Sequence, residues 1–265
     1  MKKITGLFVA MLLLLSSCGS VPLTGRKQVL LVSDQEVLSS SLTQYSDYMK
    51  SAKKSSSKDG AAMVMRVGKR IAAATEQYLK NNGLESEVKN FSWEFNLVKD
   101  PQVNAFCMPG GKIVVYEGLM QLVSSDDELA VVIGHEVAHA VAKHSNERMS
   151  QQLMAQYGAQ ILGQALSNKS AAVQQIGTSV YGLGAQYGVM LPFSRKHESE
   201  ADYMGLVFMA MAGYNPEVAV NFWQKMSAGK SGSTPEFMST HPSDATRINE
   251  IKQHLPEIEK YRVKK

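Results

Sequence analysis

His135-Glu136-Val137-Ala138-His139 lies inside the apolar stretch from Val131 to Val141. In an α-helix, residues four positions apart lie on the same face, one turn above the other. The two imidazoles can therefore reach one metal ion at about 2.0–2.1 Å, while Glu136 lies beside that ion. The pattern predicts a buried helix that carries a zinc site, with Glu136 placed to take a proton from a water molecule.

The third ligand is predicted on a second helix that begins at His197. By average composition, the pentapeptide pattern occurs by chance in about one chain in a hundred. A third ligand is therefore needed to support the prediction of a zinc site. Glu198 and Asp202 are again four residues apart and share a face. We favour Glu198 as the ligand and Asp202 as the acceptor that fixes the outer nitrogen of His135 or His139.

Two other side chains of this second helix are alternatives. Glu200 is the rival ligand, but its offset of two residues turns it away from the face of Glu198, and we expect it to be solvated or paired with Arg195. His197 also lies on a different face, and we interpret it as a surface or structural histidine.

Helices are predicted on both sides of a polar linker near the N-terminus. Ser33 and Glu36 form a capping-box pattern that opens a helix to about Lys54. A linker at 55–60 precedes a second helix over 61–80, which Gly83 ends.

Strand patterns follow between 91 and 116. Apolar residues alternate from Phe91 to Leu97, a short strand is predicted over Val103–Cys107, and another over Lys112–Tyr116. Cys107 is interpreted as a buried small hydrophobe. From Ser125 onward the pattern is helical, so we predict a helix-rich α+β fold with one small sheet.

The span 149–194 has Lys169 as its only charged residue among 46. Its apolar runs are too short to cross a bilayer. We favour helices of small residues packed closely against the core. The alternatives are a mobile cover over the site or a face that meets membrane or substrate.

The N-terminus is typical of a secretory signal. Lys2 and Lys3 precede an apolar run from Ile4 to Leu15, which is shorter than the ~20 residues that a spanning helix needs. Leu15-Ser16-Ser17-Cys18 resembles a bacterial lipobox, in which the cysteine is acylated and becomes the new N-terminus. The alternative is a plain signal peptide with an incidental cysteine.

The sequence therefore divides into three parts: a lipoprotein signal peptide over 1–17, a lipidated extended tether over 18–32, and a zinc metallopeptidase domain over 33–265. The formal charge of +4 on 265 residues is too small to indicate nucleic acid as a partner.

Several separated motifs resemble the zinc endopeptidases that include the prenyl-protein protease, HtpX and the periplasmic lipoproteins BepA and LoiP. The resemblance covers most of the chain after the signal. The segments that carry it are Val21–Gln28, Asn104–Phe106, Pro109–Gly111, His135–His139, Pro192–Arg195, Glu198–Asp202, Ser239–Ser243 and Arg247–Ile248.

This resemblance implies a zincin-like (minigluzincin) domain with one zinc ion per chain on His135, His139 and Glu198, and Glu136 as catalytic base. Unlike HtpX and the prenyl-protein protease, the chain shows no membrane-spanning segments, so their intramembrane access to substrates is not carried over. The expected location is the bacterial cell envelope, anchored by lipid at the periplasmic face of the outer membrane. The expected substrates are polypeptides, with misfolded envelope proteins as a hypothesis.

His241 is the candidate donor to the oxyanion that develops during peptide hydrolysis. It could equally occupy the fourth metal position at rest, or simply enter a helix beside the cap residue Ser243. Arg247 is a second candidate donor.

A peptide substrate is commonly held as an added strand on a sheet edge. The segment assigned to this role consists of Lys112, Ile113, Val114, Val115 and Tyr116. Two other functions remain open: a non-catalytic, zinc-containing, chaperone-like binding lipoprotein, and a zinc amidase acting on cell-wall peptides.

Overall fold

The computed structural model describes residues 18–185, 191–228, 236–241 and 245–263. The predicted signal peptide over 1–17, residues 186–190 of the span 149–194, and the predicted cap residue Ser243 lie outside these described residues.

The described residues form five strands, eleven α-helices and one short 3₁₀ helix. The strands are β1 (Cys18–Ser20), β2 (Lys27–Val29), β3 (Glu94–Val98), β4 (Ala105–Met108) and β5 (Lys112–Tyr116). The helices of the N-terminal half are α1 (Asp34–Ser51), α2 (Lys58–Asn81), α3 (Glu85–Val88), α4 (Glu117–Met120) and α5 (Asp126–Val141). The remaining helices are α6 (His144–Leu166), α7 (Ala171–Ala185), α8 (Leu191–Met211), α9 (Val218–Ala228), α10 (Glu236–Thr240) and α11 (Ala245–Ile258), followed by the 3₁₀ helix Glu259–Tyr261.

The helix-rich α+β class is confirmed, and the histidine and carboxylate cluster described below fits a zincin-like domain. The predicted single sheet is incomplete, because β1 and β2 form a second, two-stranded antiparallel sheet. The capping box at Ser33 and Glu36 is present, and Gly83 ends α2 in the left-handed region at φ 72°.

The segment 18–32 is a docked hairpin rather than the extended tether predicted from the sequence. β1 and β2 pair with Cys18 opposite Val29, and the turn between them buries Val21. The backbone N–H of Leu31 then donates to the Ser150 hydroxyl on α6 at 2.8 Å. Polar and apolar contacts thus tie the N-terminal segment to the helical domain.

The three-stranded sheet has the order β3-β5-β4, with β5 parallel to β3 and antiparallel to β4. The predicted substrate-binding strand Lys112–Tyr116 is therefore the central strand, and all five of its residues are buried. That assignment is wrong, because both sides of β5 already carry ladder hydrogen bonds. The edge strands are β3 and β4.

Close packing of α5 against α8 forms the centre of the domain. Gly134 and Gly205 meet at the crossing, where a Cβ on Gly205 would lie 2.8 Å from the His135 nitrogen and one on Gly134 would lie 2.9 Å from the Gly205 carbonyl oxygen. Any larger residue at either position would push the helices apart. The core continues into α9 and α10 through the fully buried rings of Trp223 and Phe237.

Residues 152–182, the described middle of the span 149–194, do not pack against the core as favoured from the sequence. α6 and α7 form an antiparallel pair, and no residue between 152 and 182 is buried. None of the described helices combines the length and the hydropathy that a membrane crossing requires.

Candidate metal centre

His135 and His139 project from one face of α5 toward the N-terminal half of α8. Ser125 caps α5 by accepting from the Glu128 N–H, and three acidic residues in its first turn face the positive end of the helix dipole. The helix is buried along most of its length. A buried, well-capped helix holds the two imidazoles in fixed orientations, as a metal site requires.

Four side chains bring their donor atoms within 4.8 Å of one another: His135, His139, Glu198 and His241. The Nε2 atoms of His135 and His139 are 3.1 Å apart. Glu198 Oε2 lies 3.3 Å from His135 Nε2, and Glu198 Oε1 lies 3.4 Å from His139 Nε2. His241 Nδ1 lies 3.3 Å from His135 Nε2 and 3.0 Å from Glu198 Oε2.

These separations fit a zinc ion. Tetrahedral ligands at about 2.0–2.1 Å from the metal lie about 3.3 Å from one another. Imidazole nitrogens and a carboxylate oxygen are also the donor types that zinc prefers. The residues present therefore suit the metal in both spacing and chemistry, and their role as ligands stays a prediction.

The electrostatics of the cluster favour an anionic Glu198. Burial alone would raise the pKa of this carboxyl, but hydrogen bonds with His135, His139 and His241 outweigh that effect and lower it. Burial lowers the pKa of His139 to about 3, so this imidazole is neutral and able to donate a lone pair.

Glu136 lies beside the cluster with one carboxylate oxygen held and the other open. Oε2 accepts from the Cys107 N–H at 3.1 Å. Oε1 is buried, has no hydrogen-bond partner among the described residues, and lies 3.4 Å from His241 Nε2. Burial raises the pKa of Glu136 above its ordinary value. A carboxylate with a raised pKa and an open oxygen is suited to general-base chemistry.

The outer nitrogen of His135 faces Asp202. His135 Nδ1 lies 2.9 Å from Asp202 Oδ1, and both side chains are buried. Asp202 in turn accepts from Arg247, whose Nε and Nη2 donate at 2.8 Å each. Arg247, considered from the sequence as a second donor to the oxyanion, thus contacts Asp202, and its Nη1 also lies 3.3 Å from Glu198 Oε2.

The outer nitrogen of His139 faces a second histidine, which the sequence did not single out. His139 Nδ1 lies 2.8 Å from His144 Nδ1, and His144 Nε2 lies 3.0 Å from Glu200 Oε2. Burial lowers the pKa of His144 well below its ordinary range, so the ring is neutral. It can then accept from His139 and donate to Glu200, which fixes the orientation of both rings.

Glu200 and His197 are buried, which corrects the expectation of a solvated Glu200. Glu200 pairs with Arg26 at 2.8 Å instead of with Arg195, and also accepts from the Thr24 hydroxyl. His197 stacks on His144 with ring centroids 4.2 Å apart, and its Nε2 lies 2.9 Å from Glu147 Oε2. His197 is therefore structural rather than on the surface.

His241 is held by residues of α10 and α11. Phe237 stacks on its ring with centroids 4.6 Å apart, and Arg247 donates to its carbonyl oxygen at 3.2 Å. Its ring nitrogens face Glu198 on one side and Glu136 on the other. The structure thus places His241 at the fourth corner of the cluster, one of the positions considered for it from the sequence.

The strand next to the cluster is β4. Asn104 and Met108 accept hydrogen bonds from the β5 side, from Tyr116 and Gly111, so the backbone of Ala105 and Cys107 faces the edge that pairs with no strand. At that edge the Ala105 N–H donates to Asn104 Oδ1 at 2.9 Å. Cys107 is partly buried rather than fully buried, and burial raises the pKa of its thiol well above its ordinary value. The thiol is therefore a poor nucleophile.

The sequence contained only a partial signal for the site residues that were not predicted from it. His144 lies five residues after His139, and Thr24 and Arg26 belong to the segment Val21–Gln28 that carries the family resemblance. Spacing shows which residues share a helix face, but not which distant segment folds onto that face.

Comparison with known proteins gives a match to the model of peptidase family M48 over residues 66–255. The mitochondrial metalloendopeptidase OMA1 of Schizosaccharomyces pombe is 36% identical over 205 residues, which cover 74% of this chain and 53% of that protein. The beta-barrel assembly-enhancing protease of Yersinia pestis is 32% identical over 174 residues, covering 61% of this chain and 36% of that protein. Metalloprotease YcaL of Escherichia coli is 26% identical over 196 residues, covering 72% and 75% respectively. The chain spans about half of the first relative's length and about a third of the second's.

Proposed function

This chain belongs to peptidase family M48, and we propose that it is a zinc metalloendopeptidase of the bacterial cell envelope. One observation carries the proposal: four donor atoms at the spacing of a tetrahedral zinc site stand beside the buried Glu136 carboxylate. A purely structural metal site has no use for that carboxylate. The resemblance recognised from the sequence is confirmed by the family match.

One zinc ion per chain would be held by His135, His139 and Glu198, as the sequence and the family resemblance predict. Bound there, zinc supplies a Lewis acid that activates water and polarises the scissile carbonyl group. Asp202 behind His135 and His144 behind His139 hold the two rings in place.

Glu136 is the proposed general base. Its open Oε1 takes a proton from the attacking water and then passes it to the leaving amine. The Cys107 N–H holds the other oxygen at 3.1 Å, so the carboxylate cannot rotate freely. Burial raises the pKa of Glu136, which makes the carboxylate a stronger base for the first of these two steps.

His241 is proposed to act in two positions. In the position seen here, its Nδ1 completes the donor set, which closes the site to water. On substrate binding the ring moves aside and donates to the developing oxyanion. Its carbonyl bond to Arg247 and its stacking on Phe237 define the position from which it moves.

The substrate is proposed to add as a strand to the free edge of β4, in place of the β5 assignment. Ala105 and Cys107 point their backbone groups toward that edge, and the Cys107 N–H already lies against Glu136. Binding through main-chain groups gives weak sequence selectivity, which suits unfolded polypeptides. Misfolded envelope proteins are the proposed physiological class.

Envelope location is supported by the lipobox-like Leu15–Cys18 and by the likeness to bacterial proteases such as the Y. pestis relative. We infer a signal peptide over 1–17, acylation at Cys18 and a peptidase domain over 33–265. In place of a tether, the docked hairpin over 18–32 leads from the anchor into the domain. The inferred membrane is the outer membrane, with the chain on its periplasmic face.

Glu136→Gln tests the function. The variant should keep one zinc ion per chain by elemental analysis and lose at least about 1000-fold in casein hydrolysis, because proton transfer is removed while the ligands remain. Glu217→Gln, an exposed carboxylate, is the matched control and should behave as the parent chain. A parent chain that binds zinc but hydrolyses no polypeptide would favour the binding lipoprotein instead.

A further inference from the structure

The paired helices α6 and α7 form an unusual surface beyond their junction with the domain. We call residues 152–182 the helical hairpin. Its two helices meet along a seam of small residues, where Gly158 accommodates the Tyr181 ring and Gly177 accommodates Leu166. The Tyr181 hydroxyl donates across the seam to the Ala155 carbonyl at 3.0 Å. Lys169, at the tip, is its only charged residue.

Each helix of the hairpin exposes a stripe of large apolar side chains. These residues recur at the spacing i, i+3, i+7, and they are 39–68% exposed. They are Met154, Tyr157 and Ile161 on α6, and Val173, Ile176 and Val180 on α7. That spacing places each set along one line of its helix.

Both stripes lie on the same side of the hairpin. Successive helical residues turn by about 100°, which puts each stripe about 100° from the seam of its own helix and in the same rotational sense. Because the two helices are antiparallel, equal rotations from the seam bring the stripes together on one face. The opposite face carries uncharged polar side chains: Gln152, Gln156, Gln160, Gln175, Thr178 and Ser179.

The base of the hairpin lies beside the start of the described chain. Leu31 and Val32, which follow β2, bond to Ser150 and Asn146 of α6 at 2.8 and 2.9 Å. β2 pairs with β1, whose first residue is Cys18. A lipid on Cys18 would therefore bring the bilayer close to the base of the hairpin, so this step rests on the proposed function.

We propose that the apolar face of the helical hairpin lies in the interfacial region of the bilayer that anchors the chain. The six exposed side chains offer roughly a few hundred Å², less than the ~800 Å² per partner of a stable protein interface. Amphipathic helices can hold such a face in the headgroup region by apolar insertion. Since the polar face has no cation, binding does not require anionic lipid.

Tryptophan quenching tests which face enters the lipid. The full chain is reconstituted in phosphatidylcholine vesicles with brominated acyl chains, carrying Ile161→Trp or the matched control Gln160→Trp. Trp93 and Trp223 contribute the same background in both variants. The emission added at position 161 should fall about twofold or more, and the emission added at 160 should not, because only the first enters the acyl boundary. Added phosphatidylglycerol should leave the result unchanged.

If the emission of Ile161→Trp is as strong in brominated vesicles as in plain ones, the proposal is overturned. Quenching only with phosphatidylglycerol would overturn its independence of lipid charge. Loss of a sedimenting dimer in Ile161→Asp, without quenching in Ile161→Trp, would identify a second copy as the occupant and overturn the membrane assignment. The mass of the N-terminal peptide reads acylation of Cys18 separately, and casein hydrolysis reads the enzyme, so failure of the proposed function is distinguishable from failure here.

Discussion

The Nδ1 atoms of the two imidazoles on α5 face different kinds of partner. The outer nitrogen of His135 meets a charged group directly, at 2.9 Å from Asp202. The outer nitrogen of His139 meets a neutral ring, at 2.8 Å from His144, and the charge of Glu200 lies one hydrogen bond further away. The difference shows that one side of the site is stabilised by direct charge and the other through an intervening ring.

The two supports also come from opposite ends of the chain. Asp202 is held by the buried Arg247 of α11, whereas Glu200 is held by Arg26 of the N-terminal hairpin. Arg26 also forms a two-pronged pair with Glu147 at 2.7 and 2.9 Å. The N-terminal segment is therefore part of the architecture around the metal centre rather than a connection to it.

Removing the direct charge should have the largest effect. Asp202→Asn keeps the size of the side chain but loses the charge that faces His135 and Arg247. We expect zinc affinity to fall about 10–100-fold, since carboxylates behind a metal-binding imidazole have effects of this order. Competition with a chromophoric chelator at neutral pH measures it. Asp47→Asn, an exposed control, should leave zinc affinity unchanged. If Asp202→Asn also leaves zinc affinity unchanged, Asp202 does not stabilise His135 as a ligand.

Removing the relayed charge should have a smaller effect. Glu200→Gln keeps an acceptor for the ring of His144, and the lost charge is one step from His139. We expect zinc affinity to fall by about tenfold or less, in the same chelator assay. Glu217→Gln is the matched exposed control. A loss greater than that of Asp202→Asn would break the comparison, because the relay would then matter more than the direct charge.

The part of the site that depends on spacing within a helix could be predicted from the sequence. His135 and His139 are four residues apart, as are Glu198 and Asp202, so the shared faces of α5 and α8 follow from spacing alone. The capping box at Ser33 and the helix-rich class followed from equally local patterns. Such predictions hold because each depends on residues within one or two turns.

The rest of the site depends on contacts between distant segments, which no local sequence pattern encodes. The glycine contact between α5 and α8, the return of Arg26 to Glu200 and the central place of β5 join residues far apart in the chain. The spacing of Glu200 correctly excluded it from the face of Glu198, but exclusion from one face does not mean solvent. The N-terminal hairpin covers the face to which it points.

The ion pair between Arg26 of the N-terminal hairpin and Glu147 should also give a small, pH-dependent contribution to the stability of the fold. Burial would raise the pKa of Glu147, but hydrogen bonds from Arg26 and His197 outweigh this and lower it to about 2. A carboxyl with a lowered folded-state pKa stabilises the fold above its ordinary value of 4.5 and loses that contribution as the pH falls toward 2.

Glu147→Gln should therefore be less stable than the parent chain by about 1 kcal/mol at neutral pH, a modest value because solvent screens the partly exposed Arg26. Urea unfolding should show this difference constant above pH 4.5 and shrinking between pH 4.5 and 2, where the parent carboxylate is protonated too. Asp47→Asn, which breaks an exposed ion pair with Lys50, should show almost no difference at any pH. A Glu147→Gln difference that persists undiminished at pH 2 would mean that the side chain supports His197 and Arg26 by shape and hydrogen bonding alone, without its charge.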